Sequence, residues 1–307
     1  MKVLGIDPGT SRWGFVFLEK GEIVEEKSVL TETIKKDAQI VIELAEKAQL
    51  TVAPSGYGTV LKKVGDLTEQ DFFGILLKRK DEKTVMGLEK VLRAFKESSL
   101  NAYVIPSVKL LPTVPTERKL GKIDMGTSDK LCAAVAGIVD QSHRLKLHYN
   151  QTSFILAEIG YGFDAFIAVK NGQIVDGIGG TLSSSTWRGE DGEILYLKGE
   201  ASKKELKKGS LNPKRVKEGA LKDINRLRRE FEPREILVSG SKSYDVFDFL
   251  KQNFKDVVSL DTCKSSNAAY GAAVIADGLA GGRFKELIDL ISLKKAKGSN
   301  LDYTGLR

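Results

Sequence analysis

Two stretches of this chain read alike: GIDPGTSRWGFVFLEKGEIV (Gly5–Val24) and AEIGYGFDAFIAVKNGQIV (Ala157–Val175). In the first, Asp7 stands two residues before Gly9 and fourteen before Gly21; in the second, Glu158 stands two before Gly160 and fourteen before Gly172. KGEIV answers NGQIV. Each copy reads as an apolar strand ending in an acid, a glycine turn, a second strand, a second glycine turn and a third strand.

The segments downstream of the two copies are also alike. After the first, the pattern predicts a helix over about residues 36–49, a strand at LTVA, a helix near 82–97, a strand at AYVIP and a helix over about 127–140. After the second it predicts a basic helix, a strand at EILVS, a helix near 244–253, a strand at DVVSL and a helix over about 266–280. That is βββαβαβα twice. Hairpins followed by strand–helix alternation predict an α/β fold with two mixed sheets, each carrying helices. The expected domains are 1–150 and 151–307, facing each other across a cleft, with residues 181–212, rich in Ser, Gly and Lys, as an insertion in the second.

Bulk composition agrees with two globular domains: 307 residues, 41% hydrophobic and 29% charged. No run is long enough for a membrane span and no signal peptide is read, so no membrane association is expected. Cys132 and Cys263 lack metal or disulfide spacing, which suits a reducing cytoplasm. His143 and His148 are the only histidines, which argues against a mechanism needing several imidazoles. The net charge is +7. Much of it lies between Lys203 and Arg234, around Val216, Ala220, Ile224, Leu227 and Phe231 at helical spacing. No aromatic residues interleave those charges as a stacking surface needs, so a solvated helix face is expected rather than nucleic acid.

A glycine turn lets backbone N–H groups approach an anion closely. The carboxylate at the adjoining strand tip cannot bind phosphate itself, but it can hold Mg²⁺, which bridges to phosphate oxygens. Two such hairpins facing each other would grip a nucleoside triphosphate from both sides. Other phosphate motifs fail. There is no G-x-x-x-x-G-K-[ST]. Gly160-Tyr161-Gly162 opens like a dinucleotide fingerprint, yet a strand comes next where a helix is required. Two small-residue helices, one with Ala133, Ala134, Ala136 and Gly137 and one with Ala268, Ala269, Gly271, Ala272 and Ala273, look built for close crossing. If they meet between the domains they form a hinge. ILVSGS (Ile236–Ser241) reads as a strand ending in a glycine turn where an adenine can rest.

With these pieces the sequence resembles the acetate and sugar kinase, heat-shock chaperone and actin superfamily. GIDPGT resembles its first phosphate hairpin, EIGYGFDAFIAV its second and ILVSGS its adenosine loop. The resemblance implies two ribonuclease H-like domains around an interdomain cleft. Closer still, APSGYG (Ala53–Gly58), LLPTVPTERKLGKIDMGTSDKLC (Leu110–Cys132) and VKNGQIVDGIGGT (Val169–Thr181) resemble the family of predicted butyrate kinases known mainly from archaea. Butyrate and acetate kinases proper carry Asn in the first hairpin, where this chain has Asp7, as sugar kinases do.

The resemblance implies an ATP- and Mg²⁺-dependent kinase that phosphorylates a short-chain carboxylate such as butyrate. A carboxylate is ionised near pH 7 and needs no general base, so catalysis becomes positioning and charge neutralisation. Asp7 would hold Mg²⁺ with Glu158 assisting. Gly9, Thr10 and Ser11 would line the phosphates from one side and Gly160, Tyr161 and Gly162 from the other. Ser239, Gly240 and Ser241 would meet the adenosine. Arg188 or Arg118 would neutralise the transferring phosphoryl group. Ser55, Gly56, Tyr57 and Gly58 would wrap the acceptor. Were the acceptor an alcohol, Asp176 would be the base. Asp124 and Asp129 flank a helix start, where capping is the ordinary role. The expected partners are a nucleotide and a small carboxylate, not nucleic acid or membrane, with a homodimer left open. Two rival readings stand. One is a non-catalytic ATP-binding switch of the same fold. The other is a metal-dependent nuclease, since GIDPGTSRWGF also looks like the first strand of Holliday-junction resolvases.

Overall fold

The computed structural model describes residues 1–79, 87–186, 191–206, 208 and 211–306. Its first sheet contains β1 (Lys2–Asp7), β2 (Arg12–Glu19), β3 (Glu22–Leu30), β4 (Leu50–Val52), β5 (Lys62–Lys63) and β6 (Ala102–Val104), in the order β3-β2-β1-β4-β6-β5. The second contains β7 (Phe154–Ile159), β8 (Asp164–Lys170), β9 (Gln173–Ile178), β10 (Glu235–Ser239) and β11 (Val257–Ser259), in the order β11-β10-β7-β8-β9. Both sheets are mixed. The hairpin strands pair antiparallel, and β4 and β6, like β10 and β11, join parallel to the first strand of their copy.

The repeat extends to backbone detail. Lys20 (φ 53°) with Gly21 (φ 80°), and Asn171 (φ 52°) with Gly172 (φ 71°), close the β2–β3 and β8–β9 hairpins with both central residues left-handed. That is the two-residue turn whose twist matches its strands. Ten residues after each strand-tip acid the register slips, between Phe17 and Leu18 and between Ala168 and Val169. Strands β1 and β2 are apolar along their length because both faces are covered. The edge strand β3 is largely exposed and carries Glu22, Glu25, Glu26 and Lys27, which suits an open edge.

Five longer helices complete the layers: α1 (Leu88–Glu97), α2 (Ser128–Leu145), α3 (Pro213–Phe231), α4 (Ser243–Asn253) and α5 (Asn267–Leu279). The helix expected over 36–49 is two short ones, Thr31–Lys36 and Gln39–Ala45, broken at Asp37. Part of the helix expected near 82–97 falls on residues 80–86, outside the described residues. α3 and α4 cover the outer face of the second sheet, α3 through Val216, Ala220, Ile224 and Leu227. Its basic face points outward, as helical spacing predicts.

The two small-residue helices do cross, and they are exchanged between the sheets. α2 comes after the last strand of the first half but packs on β7 and β8. α5 comes after the last strand of the second half but lies on β1, β2 and β4. Their contact admits no side chain: a Cβ on Gly271 would stand 1.8 Å from the Cys132 carbonyl oxygen. The seat of α5 on β1 is as close, since a Cβ on Gly5 would stand 2.1 Å from the Ala273 nitrogen. One continuous core, from Val3 and Val16 through Ala133, Ala272 and Leu237, joins the inner faces of both sheets through these helices.

Candidate active site

The central strands β1 and β7 end with Asp7 and Glu158 on one cleft of about 570 Å³. The first glycine of each hairpin is used in the same way. A Cβ on Gly9 would stand 2.3 Å from the Arg12 carbonyl oxygen, and one on Gly160 would stand 2.5 Å from that of Phe163. Both turns therefore fold back more tightly than another residue allows.

Asp7 is held by groups distant in sequence. Ser266, at the start of α5, donates its hydroxyl to Asp7 Oδ2 at 2.6 Å and accepts the Ala269 N–H at 3.3 Å. Burial, and then the nearby Asp129 carboxylate, push the Asp7 carboxyl up to about 7. From the first turn of α2, Lys130 reaches between the strand tips: its Nζ lies 2.8 Å from Asp129 Oδ2 and 3.6 Å from Glu158 Oε1. Burial works against the ammonium, but Asp129, Glu158 and Asp7 outweigh it and keep the group protonated well above the ordinary lysine range. Lys130 in turn lowers the Asp129 carboxyl against its own burial.

Asp129 therefore does not cap α2, contrary to the expectation for an acid at a helix start. Thr127 occupies the cap position without a side-chain cap bond and donates its hydroxyl to Asp129. Asp124 does not cap the helix either. Its Oδ1 accepts the Gly126 N–H at 2.8 Å, and among the described residues nothing donates to its Oδ2. It lines the cleft beside Gly180, where a Cβ would stand 2.2 Å from that Oδ2. Burial first, then Asp191 and Asp129, push its carboxyl up to about 7. Behind it, Asp191 accepts the Ile123 N–H at 2.7 Å, and the buried Glu193 accepts the Thr181 hydroxyl. Sequence reading missed this cluster because its members lie up to 69 positions apart (Asp124 to Glu193).

The loop expected to meet adenosine also reaches the cleft. Gly240 (φ 101°) packs where a Cβ would stand 2.2 Å from the Ile159 carbonyl oxygen. Asn267 of α5 pins the loop from below by donating to Ser239 Oγ at 2.9 Å and to the Leu260 carbonyl at 2.5 Å. Ser239, Gly240, Ser241, Thr10, Ser11, Tyr161 and Gly162 all line the cleft. Tyr161 is half exposed beneath the Lys242 ammonium, 4.8 Å from its ring centre.

On the expected acceptor side, Ser55, Gly56 and Tyr57 line the cleft, while Gly58 packs behind it against Ser107. The chain's last segment holds this turn. Buried Asn300 donates to the carbonyls of Tyr57 (2.6 Å) and Gly58 (2.9 Å) and accepts from Ser107 Oγ (2.7 Å). Asn300→Ala leaves these buried groups unpaired, a loss of about 1–3 kcal/mol. In steady-state kinetics on an active acceptor, the variant is expected to raise KM for the acceptor more than for nucleotide.

Arg118 and Asp176 lie outside the cleft wall. Arg118 pairs with Asp176 at 3.5 Å and with Glu230 of α3, and Asp176 spends its other oxygen on the Gly177 N–H. These ion pairs tie α3 to β9 and leave neither group facing the cleft. Arg188 lies outside the described residues. Neither histidine lines the cleft.

Among the described residues no three Asp, Glu, His or Cys side chains converge as a metal centre built by protein alone. Mg²⁺ carried in on a nucleotide needs only one or two carboxylates, with phosphate and water completing its octahedron. Asp7 and Glu158, each beside a tight glycine turn on the cleft, fit that demand.

The profile of one family, described as protein of unknown function (DUF1464), matches residues 5–306. No curated protein matches the chain. Among solved structures, a propionate kinase from Francisella tularensis subsp. tularensis is similar at 10% identity and TM-score 0.54, over 89% of this chain and 98% of that one. An acetate kinase from Porphyromonas gingivalis aligns at 12% identity and TM-score 0.52, over 90% and 98%. One from Entamoeba histolytica aligns at 9% and 0.50, over 82% and 87%. The likeness at these identities is one of fold: two mixed sheets in the two-domain ribonuclease H-like arrangement of the acetate kinases.

Proposed function

The chain belongs to the DUF1464 family of proteins of unknown function, and we propose that it is an ATP- and Mg²⁺-dependent phosphotransferase acting on a small molecule. The observation that carries this is the pair of matched hairpins, Asp7–Arg12 and Glu158–Phe163, opening on one cleft with Lys130 between their acids. Backbone N–H groups of Gly9–Ser11 and Gly160–Gly162 cradle the polyphosphate from opposite sides, and Ser239–Ser241 meet the adenosine. Asp7 and Glu158 would hold Mg²⁺, which would neutralise charge on the phosphates. Ser55–Tyr57 and Asp124 flank the place from which an acceptor attacks in line.

The butyrate kinase resemblance makes that acceptor a short-chain carboxylate such as butyrate. One observation favours a second class, a hydroxyl compound. Asp124 lines the cleft with an oxygen that has no donor among the described residues, and a buried acid there repels a carboxylate but can take a hydroxyl proton. The test is a panel of short-chain acids, with acyl phosphate trapped by hydroxylamine, beside a panel of alcohols and polyols assayed by ADP release. Below about pH 7 Asp124 holds its proton and cannot serve as base. Turnover of a hydroxyl acceptor is therefore expected to rise as pH climbs through about 7. A carboxylate acceptor, ionised above roughly pH 5, lacks the part of that rise that Asp124 causes, while any part that Asp7 causes is common to both acceptors. Asp124→Asn lowers turnover of the hydroxyl acceptor by about 10²-fold or more and spares that of an acid. ATP binding with no product from either panel favours the switch; cleavage of branched DNA without ATP affinity favours the nuclease.

A further inference from the structure

We infer that Lys130 is the cleft's built-in counter-cation and, when a nucleotide enters, the side chain that binds its terminal phosphate. The inference rests on the phosphotransferase reading and adds to it a phosphate ligand that was missed in the sequence.

Three observations support it. The first is position. The ammonium lies between the two strand tips, against Asp129 and Glu158, and its residue lines the cleft with both phosphate turns. The second is that other cations on the wall have different occupations. Arg12 donates to Ser28, Lys78 pairs with Glu89, and Lys203 lies over the rings of Tyr57 and Tyr196. Arg118 is engaged outside the cleft with Asp176 and Glu230. Among the described residues only Lys130 is ion-paired to a strand-tip acid.

The third is a conflict in the sequence. Lys130 stands in the first turn of an 18-residue helix, where the macrodipole disfavours a cation. The fold accepts it there because three carboxylates surround it. A local rule broken in this way marks a functional position. The start of the same helix, Thr127 to Lys130, lines the cleft, so ammonium and helix end attract the same anion.

Charge explains how the two roles alternate. Without ligand, Lys130 shields Asp129, Glu158 and Asp7 from one another. When Mg²⁺ takes the strand-tip acids, Glu158 no longer needs the ammonium, which keeps its 2.8 Å contact with Asp129 and turns its remaining protons to the terminal phosphate. Metal and lysine therefore compete for one carboxylate and cooperate on one phosphate.

That pairing makes opposite predictions for one variant. Lys130→Met keeps the length of the side chain and removes its charge. Measured by titration calorimetry at saturating Mg²⁺, its affinity for ATP is expected to fall about tenfold or more, the loss of a charge-assisted hydrogen bond. Its affinity for ADP, which lacks the terminal phosphate, changes much less. The Mg²⁺ concentration that half-saturates nucleotide binding falls several-fold, because a competing cation is gone. Lys130→Arg, which keeps the charge, recovers part of the ATP affinity and guards against a variant that merely folds badly. Equal ATP affinity in wild type and Lys130→Met, or equal losses for ATP and ADP with an unchanged Mg²⁺ requirement, overturns the proposal while the phosphotransferase reading stands. Failure of the wild type to bind Mg-ATP takes both down.

Discussion

Asp7→Asn is expected to lower phosphoryl transfer by about 10³-fold or more and, at neutral pH and above, to raise the thermal midpoint of the nucleotide-free protein. The first effect comes from the role proposed for Asp7 at the tip of β1, where the variant keeps an acceptor for the Ser266 hydroxyl but loses the charge proposed to hold the metal. The second comes from burial. The folded protein pushes this carboxyl from 3.8 up to about 7, so it binds more protons than the unfolded chain between those values. Stability from this group is thus fully present below the unfolded value and lost as pH rises through about 7. Wild type should therefore melt lower at pH 8 than at pH 5, and Asp7→Asn should lack the part of that fall that Asp7 causes. Melting curves at the two pH values, with a turnover assay on the best acceptor, check both. Turnover within tenfold of wild type would remove Asp7 from the chemistry.

The second large effect is structural. Gly271→Val should cost about 3 kcal/mol or more, lowering the midpoint by roughly 6 °C or more for a chain of this size. A Cβ there would lie 1.8 Å from the Cys132 carbonyl oxygen and 2.5 Å from its carbon, and backbone cannot swing aside as a side chain does. The helices α2 and α5 must then part, and with them the two sheets whose inner faces share one core through them. Since Ser266 and Asn267 begin α5 and Lys130 stands in the first turn of α2, the same separation pulls apart the groups around Asp7 and Ser239. Gly74→Ala is the control. It lies inside the Glu69–Leu76 helix with nothing within 4 Å of its Cβ position, and should be neutral or stabilising by up to about 1 kcal/mol. Thermal melts of the three proteins decide it; a Gly271→Val protein as stable as wild type would mean that the close crossing is not needed.

The hairpins of both copies, their acids and their glycine turns were legible because the information is local. Alternating apolar runs report strands, and a left-handed turn demands Asn-Gly or a similar pair within two residues. The strand and glycine turn at Ser239–Ser241 were legible for the same reason. Arg118 and Asp176 were misjudged for the opposite reason. Residue type suggested a transition-state cation and a base, but nothing local revealed that the two would neutralise each other against Glu230. Asp129 looked like a helix cap because acids at helix starts usually are; only the placement of Lys130 against Glu158 showed its other duty.

By itself, then, the sequence determined the duplicated βββαβαβα order, apart from the strand β5 and the Glu69–Leu76 helix added in the first half, together with the two acid-tipped turns and the small-residue faces of α2 and α5, because each is written in spacings of a few residues. The tertiary structure alone decided that α2 and α5 trade sheets, that Ser266 meets Asp7 across 259 positions, and that Lys130 stands between the two strand tips. The physical reason is that charge pairing and desolvation depend on distance in space. Where the chain brings residues from both halves to one buried cleft, no window of sequence contains all the partners that set their chemistry.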